Sequence, residues 1–164
     1  MSISKKAKYK FIASRKSARF FLVQALYEWQ ISQTDIFQIA QSLADKNYVW
    51  DDEEMDEKRK EGASGANSEY FHELLQYITI HSEELNGMIE PFLDRNINDV
   101  DPIEKAILWL GTYELKYQYD IPYRVVINES VELAKQFGAE GSHRYVNSIL
   151  DKVGKTIDWR QAEK

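Results

Sequence analysis

The side chains best suited to chemistry in this chain are its cations, and their crowding at one end points to anion binding. Lys5, Lys6, Lys8, Lys10, Arg15, Lys16 and Arg19 all fall within residues 1–19. They are seven of the chain's 21 basic side chains, and none of its 27 acidic ones lies among them. In a chain of net charge −6, a basic arm on an acidic body marks a local anion site rather than a uniformly basic coat. On charge alone, a solubilising tail is the competing reading.

Other reactive residue types do not assemble. Asp51, Asp52, Glu53 and Glu54 crowd their carboxylates together, but a cation site needs ligands in fixed geometry, and the run reads as a solvated acidic loop. His72, His81 and His143 form no metal-spaced pair. Serine and histidine are adjacent at His81-Ser82 and Ser142-His143, which points their side chains apart on a helix. The glycines are isolated, so no phosphate-cradling loop is written here. The absence of cysteine excludes a disulfide scaffold, a thiolate metal site and a cysteine nucleophile together. No catalytic residue, metal or cofactor is expected.

The elements that must carry the basic arm are helical. With 164 residues, 43% of them hydrophobic and 13% aromatic, the chain is long enough for one domain or two tightly packed subdomains with a real core. The basic start is followed by no apolar signal core, and Phe20-Phe21-Leu22-Val23 is too short to cross a bilayer. A cytoplasmic protein without membrane contact is expected.

Residues 14–31 place Ala18, Phe21, Leu22, Ala25, Leu26 and Trp29 at helical spacing. Asp35 with Gln38 resembles a capping box opening a second helix to about residue 45. Residues 51–67 hold one apolar side chain larger than alanine and read as a flexible insertion. Helical spacing resumes over 68–94, where Pro91 should interrupt it.

Asp101-Pro102-Ile103-Glu104 is the clearest helix start, with Ile103, Ala106, Ile107, Leu110 and Tyr113 facing inward. A turn at residues 120–123 leads to a helix stopped at Gly138, and Ser142 is read as the cap of the last long helix. The expectation is an all-α bundle of about seven helices. It comprises a basic arm at 1–13, a helical domain at 14–157 and a short C-terminal tail at 158–164.

Two stretches are specific enough to carry a resemblance. One is Ala18-Arg19 through Gln24-Ala25-Leu26-Tyr27-Glu28-Trp29-Gln30. The other starts at Asp101 and includes Pro122-Tyr123-Arg124-Val125-Val126-Ile127-Asn128-Glu129 and Phe137-Gly138-Ala139-Glu140-Gly141-Ser142-His143-Arg144-Tyr145-Val146-Asn147. Together they resemble the NusB family over roughly residues 14–157.

The resemblance implies two small helical subdomains and a non-catalytic transcription antitermination factor. Such a factor binds the boxA element of nascent ribosomal RNA, a single-stranded target, together with NusE, a small-subunit ribosomal protein. It meets the RNA polymerase elongation complex indirectly. RNA contact is implied for Arg15, Lys16 and Arg19, and for Phe137, Ser142, His143, Arg144 and Tyr145; NusE contact is implied for Tyr27, Glu104 and Lys105.

Pairing with acids on a neighbouring helix competes with RNA contact at Arg19, a core-anchor role competes at Phe137, burial competes at Tyr27 and Trp29, and helix-bridging polar roles compete at Asn128, Glu129, Asn147 and Asp151. The family often has aspartate where this chain has Gly141, a departure that removes a negative charge and loosens a helix start. Two other readings are an accessory subunit for a ribosomal RNA methyltransferase, acting in trans because no cofactor-binding α/β segment is present in the sequence, and a purely protein-binding helical adaptor.

Overall fold

The computed structural model describes residues 5–46, 57–138 and 140–163, and among them every regular element is helical. The α-helices are α1 (Lys5–Ser32), α2 (Ile36–Lys46), α3 (Glu57–Ile80), α4 (Ser82–Ile89), α5 (Pro102–Tyr117), α6 (Tyr123–Phe137) and α7 (Ser142–Lys155). Short 3-10 turns cover Glu90–Phe92, Ile97–Asp99 and Asp158–Glu163. The chain divides into two compact units, residues 1–76 and 77–164, as the resemblance implied.

In the first unit α1 packs on α2. Ala18, Leu22, Val23, Ala25 and Leu26 of α1 are buried, as are Ile39, Ala40 and Leu43 of α2. The turn between them is local chemistry. Gln33 takes a left-handed φ of 55°. Ser32 Oγ accepts from the Thr34 amide at 3.1 Å, and Asp35 Oδ1 accepts from the Phe37 amide at 2.8 Å. Asp35 thus caps α2 by satisfying one of the amides that a helix start leaves unpaired.

Two expectations change in this unit. Helix α1 begins at Lys5, so most of the basic arm is helical backbone. Helix α3 begins at Glu57, so residues 57–67 of the expected flexible insertion are helical, while 51–56 lie outside the described residues. Glu57-Lys58-Arg59-Lys60-Glu61 are good helix formers, and a polar composition alone does not distinguish a solvated helix from a loop.

The second unit is organised around α5. Every residue from Ala106 to Leu115 is buried, so the inward face read from spacing was too narrow: this helix is enclosed on all sides. Helices α4, α6 and α7 pack on it. The closest approach is at Gly111, where a Cβ would lie 2.6 Å from Leu150 Cδ1 and 2.9 Å from Ser130 Oγ. Glycine in mid-helix costs about 1 kcal/mol of propensity, which the close packing of α6 and α7 offsets.

Both ends of a helix leave backbone groups without an intrahelical partner. At the start, Asp101 Oδ1 accepts from the Ile103 amide at 2.9 Å and the Glu104 amide at 3.4 Å, with Pro102 at the first position, as the sequence foretold. At the other end stands Arg160, which is 0% exposed. Its guanidinium donates to the carbonyls of Glu114 at 3.0 Å, Leu115 at 2.9 Å, Gln118 at 2.8 Å and Ile121 at 2.5 Å. Glu163 pairs with it at 3.1 Å, and the Trp159 ring lies 4.0 Å away. The next residue, Gln161, donates to the carbonyls of Gly154, Lys155 and Ile157 at the end of α7. Residues 158–163, expected as a tail, are therefore a clamp on two helix ends.

A polar clamp also ties α4 to α5. Glu84 pairs with Lys116, and the Tyr117 hydroxyl donates to its carboxylate at 2.7 Å and 2.9 Å. Pro91 interrupts the run over 68–94 as expected, in the turn Glu90–Phe92. A second break at His81 separates α3 from α4, just after the β-branched Ile78-Thr79-Ile80 run, which holds a helix weakly.

Replacing Arg160 with methionine should lower unfolding free energy by on the order of 3 kcal/mol, because several buried carbonyls lose their donor at once. Denaturant melts would show it as a lower midpoint, and Arg160→Lys should restore little because one ammonium cannot reproduce the fork. For Glu84, the hydrogen bonds from Lys116 and then Tyr117 hold the carboxyl below its ordinary value of 4.5. A depressed folded-state value stabilises above 4.5 and is lost as pH falls through the folded value. Glu84→Gln should therefore cost up to about 1 kcal/mol at neutral pH, with the two stability curves converging in acid.

Candidate RNA interface

The basic cluster of the first unit is built on one aromatic ring. Tyr70 of α3 is 7% exposed, and the guanidinium carbons of Arg15 and Arg19 lie 4.9 Å and 5.9 Å from its centroid. Arg15 and Arg19 are four residues apart on α1 and share a helix face. Their exposures differ: Lys16 is exposed, Arg15 is half-buried and Arg19 is only 4% exposed. Arg19, expected as a phosphate contact, is thus mostly withdrawn from solvent. Such a guanidinium over a buried ring acts through its packing as much as its charge. Lys5, Lys6, Lys8 and Lys10 lie on the helical backbone ahead of this cluster.

The second cluster surrounds the start of α7. Gly138 ends α6 in an extended conformation, with its amide donating to the Ala134 carbonyl at 2.8 Å. Gly141 then takes φ 86° and stands at the N-cap of α7. The cap expected at Ser142 is therefore one residue earlier. Ser142 is 4% exposed and packs so closely on Gly138 that a Cβ there would strike it, and its buried Oγ has no hydrogen-bond partner among the described residues. Ser142, also expected to face RNA, is instead a packing residue. Nothing lies within 4 Å of a Cβ at position 141, so the demand for glycine there is backbone conformation rather than space.

Beyond this turn Arg144 is exposed, while Phe137, His143 and Tyr145 are half-buried. The Tyr145 hydroxyl is buried beside the Asp94 carboxylate. Burial, and then the charge of Asp94, push this phenol above its ordinary range. Over its ring sits Arg95, with the guanidinium carbon 5.3 Å from the centroid.

Arg95 and Tyr70 are the two residues that sequence reasoning missed. Each is far in sequence from the side chain it meets, and neither stands in a motif. Asp151 behaves as the bridging alternative foresaw, accepting from the Tyr123 hydroxyl at 2.5 Å and joining α6 to α7. Asn128 and Asn147 are exposed, and Glu129 is half-buried.

The residues expected to meet a protein partner fall in both units. Tyr27 is 42% exposed on α1, and the first unit also exposes Ile31 at 61% and Phe37 at 74%. In the second unit Glu104 and Lys105 form the first turn of α5, both half-buried. Lys105 lies 5.1 Å from the Trp109 ring, and burial holds its pKa below the ordinary lysine value. Trp109 donates to Asn86 at 2.7 Å. Other exposed aromatic side chains are Tyr77, which stacks with His81, and Tyr119, which meets Trp159 edge-on.

Among the described residues no group of three or more histidine, cysteine, aspartate or glutamate side chains is arranged to hold a metal. No helix among them is long and apolar enough to cross a membrane. Apart from the buried Arg160 over Trp159, the described residues place Arg15 and Arg19 over Tyr70 in the first unit and Arg95 over Tyr145 in the second. Such surfaces pair with phosphate through charge and with unpaired bases through their planes.

Comparison with known proteins agrees in sequence and in fold. Residues 16–155 match the model of the NusB family. The transcription antitermination protein NusB of Pseudoalteromonas atlantica is 44% identical over 88% of this chain and 94% of its own. That of Haemophilus ducreyi is 43% identical over 89% of this chain and 96% of its own. The solved structure of T. maritima NusB superposes with a TM-score of 0.72 at 26% identity, covering 87% of this chain and 92% of that one. A NusB crystallised with NusE and double-stranded RNA shares the fold, with a TM-score of 0.73 at 22% identity over 88% of this chain and 98% of its own. With the family model matched from the first helix to the last and relatives matched over nearly their whole length, the chain belongs to the NusB family.

Proposed function

We propose that this chain is a cytoplasmic, non-catalytic RNA-binding factor of transcription antitermination that binds boxA-type single-stranded RNA together with NusE. The observation that carries the reading is the near full-length match to relatives named as transcription antitermination proteins. The two guanidinium–aromatic assemblies support it, since phosphate pairing supplies affinity and stacking reads unpaired bases.

In this reading Arg15 and Lys16 meet phosphate, and Arg19 holds Tyr70 and the α1 face in place behind them. Arg144 and the half-buried Phe137, His143 and Tyr145 form the second contact region, with Ser142 setting the α6–α7 turn. NusE docks on Tyr27 and Ile31, exposed one turn apart on α1, and on Glu104 and Lys105. An exposed aromatic and an exposed aliphatic side chain one helical turn apart favour a protein partner over solvent. The RNA polymerase elongation complex is then reached through the RNA and NusE.

The test is binding to a boxA RNA and to its scrambled counterpart, with and without NusE, across salt concentrations. The expected result is a preference for boxA that strengthens with NusE, and a log–log salt slope of roughly −2 to −3 from about −0.7 per phosphate contact. Changing Arg15 and Lys16 together to alanine should flatten that slope by about 1.4 while leaving the melting curve nearly unchanged. Equal, weak binding to both RNAs under all conditions would overturn the reading.

A further inference from the structure

Arg95 stands outside every motif that carries the family resemblance, yet it is the cation most closely tied to the aromatic side of the second cluster. It sits in the bend between α4 and α5. Its Nε donates to Asp94 Oδ1 at 2.8 Å and its Nη2 to Asp94 Oδ2 at 3.3 Å. This two-point grip limits the rotation of the guanidinium and holds it over the Tyr145 ring.

Tyr145 in turn is half-buried, with its hydroxyl enclosed beside the Asp94 carboxylate. The face of its ring is what Arg95 covers, so Asp94 and Tyr145 both bear on the one guanidinium. The Arg95 side chain remains 47% exposed, so its plane and part of its donor fork face solvent. A guanidinium backed by an aromatic ring is pre-organised to stack on an unpaired base and to pair with phosphate, with little side-chain entropy left to lose.

We propose that Arg95 is an RNA-binding residue, through which the Tyr145 cluster meets the nucleotide, and that Asp94 tunes the contact by competing with phosphate for the same donors. The inference rests on the RNA-binding reading above and adds to it a residue that the family motifs do not contain. It also changes the role of Tyr145, which supports the guanidinium from behind rather than taking the base itself.

The experiment measures binding of labelled boxA RNA to the chain with NusE across salt, for the wild type and for Arg95→Ala, Arg95→Lys and Asp94→Asn, each checked by thermal melting. Arg95→Ala should weaken binding about tenfold and flatten the salt slope by about 0.7. Arg95→Lys should restore the slope without the affinity, because lysine keeps the charge and lacks the plane. Asp94→Asn should tighten binding by removing a competing carboxylate.

Unchanged affinity and slope in Arg95→Ala would overturn the proposal. So would tighter binding, which would mean that Arg95 is a cover over a base-stacking ring. A wild-type chain that shows no boxA preference would defeat the RNA-binding reading and this inference with it, and that failure is visible before any substitution is made.

Discussion

The second unit depends on one buried cation. Helix α5 is enclosed by its neighbours, so the buried carbonyls of Glu114 and Leu115 near its C-terminal end need donors from the protein. Arg160 supplies that end with donors from a single rigid fork, and Gln161 does the same for α7. A buried guanidinium is costly when unpaired, but here it reaches the carbonyls of four residues and a carboxylate, which is the condition under which such burial is tolerated. With α5 held at both ends, α4, α6 and α7 have a fixed surface to pack against. The bend carrying Asp94 and Arg95 and the first turn of α7 carrying Tyr145 are thereby brought together within one unit.

In the proposed reading, the two guanidinium–aromatic assemblies are how a chain of net charge −6 meets an anion. Association with nucleic acid needs a local positive potential more than a positive total, and a ring behind each guanidinium limits the conformations it must surrender on binding. The first assembly grades from the exposed Lys16 to the nearly buried Arg19. On the proposed reading, that gradient separates contact from support along a single helix face. At the α6–α7 turn the division is similar: Ser142 and Gly138 set the geometry, and Arg144 is left at the surface.

Much of this was legible in the sequence, because the signals involved are local. The caps at Asp35 and Asp101, the proline at position 102 and the helical spacing of α1 and α7 are written within four residues of where they act. The long motifs pointed to the family. What could not be read depended on distance along the chain. Arg160 reaches carbonyls 39 to 46 residues away, and no local pattern distinguishes it from a solvated tail arginine. Arg95 meets Tyr145 from another element, and Tyr70 meets Arg15 and Arg19 in the same way. Ser142 misled because serine before a helix usually caps it, whereas Gly141 takes the cap position and turns the serine inward. Residues 57–67 misled because a charged, glycine-bearing stretch reads as a loop even when its charged residues favour helix.

The central claim is that RNA meets this chain at these two assemblies, and photocrosslinking tests it most directly. A boxA RNA carrying thiolated uridine would be bound to the chain with NusE, irradiated, and the adducts mapped by mass spectrometry. The account predicts adducts on the peptides around Arg15 and Lys16 and on those holding Arg95 or Tyr145. Adducts confined to other exposed aromatic sites, such as Tyr77 with His81 or Tyr119 with Trp159, would contradict it.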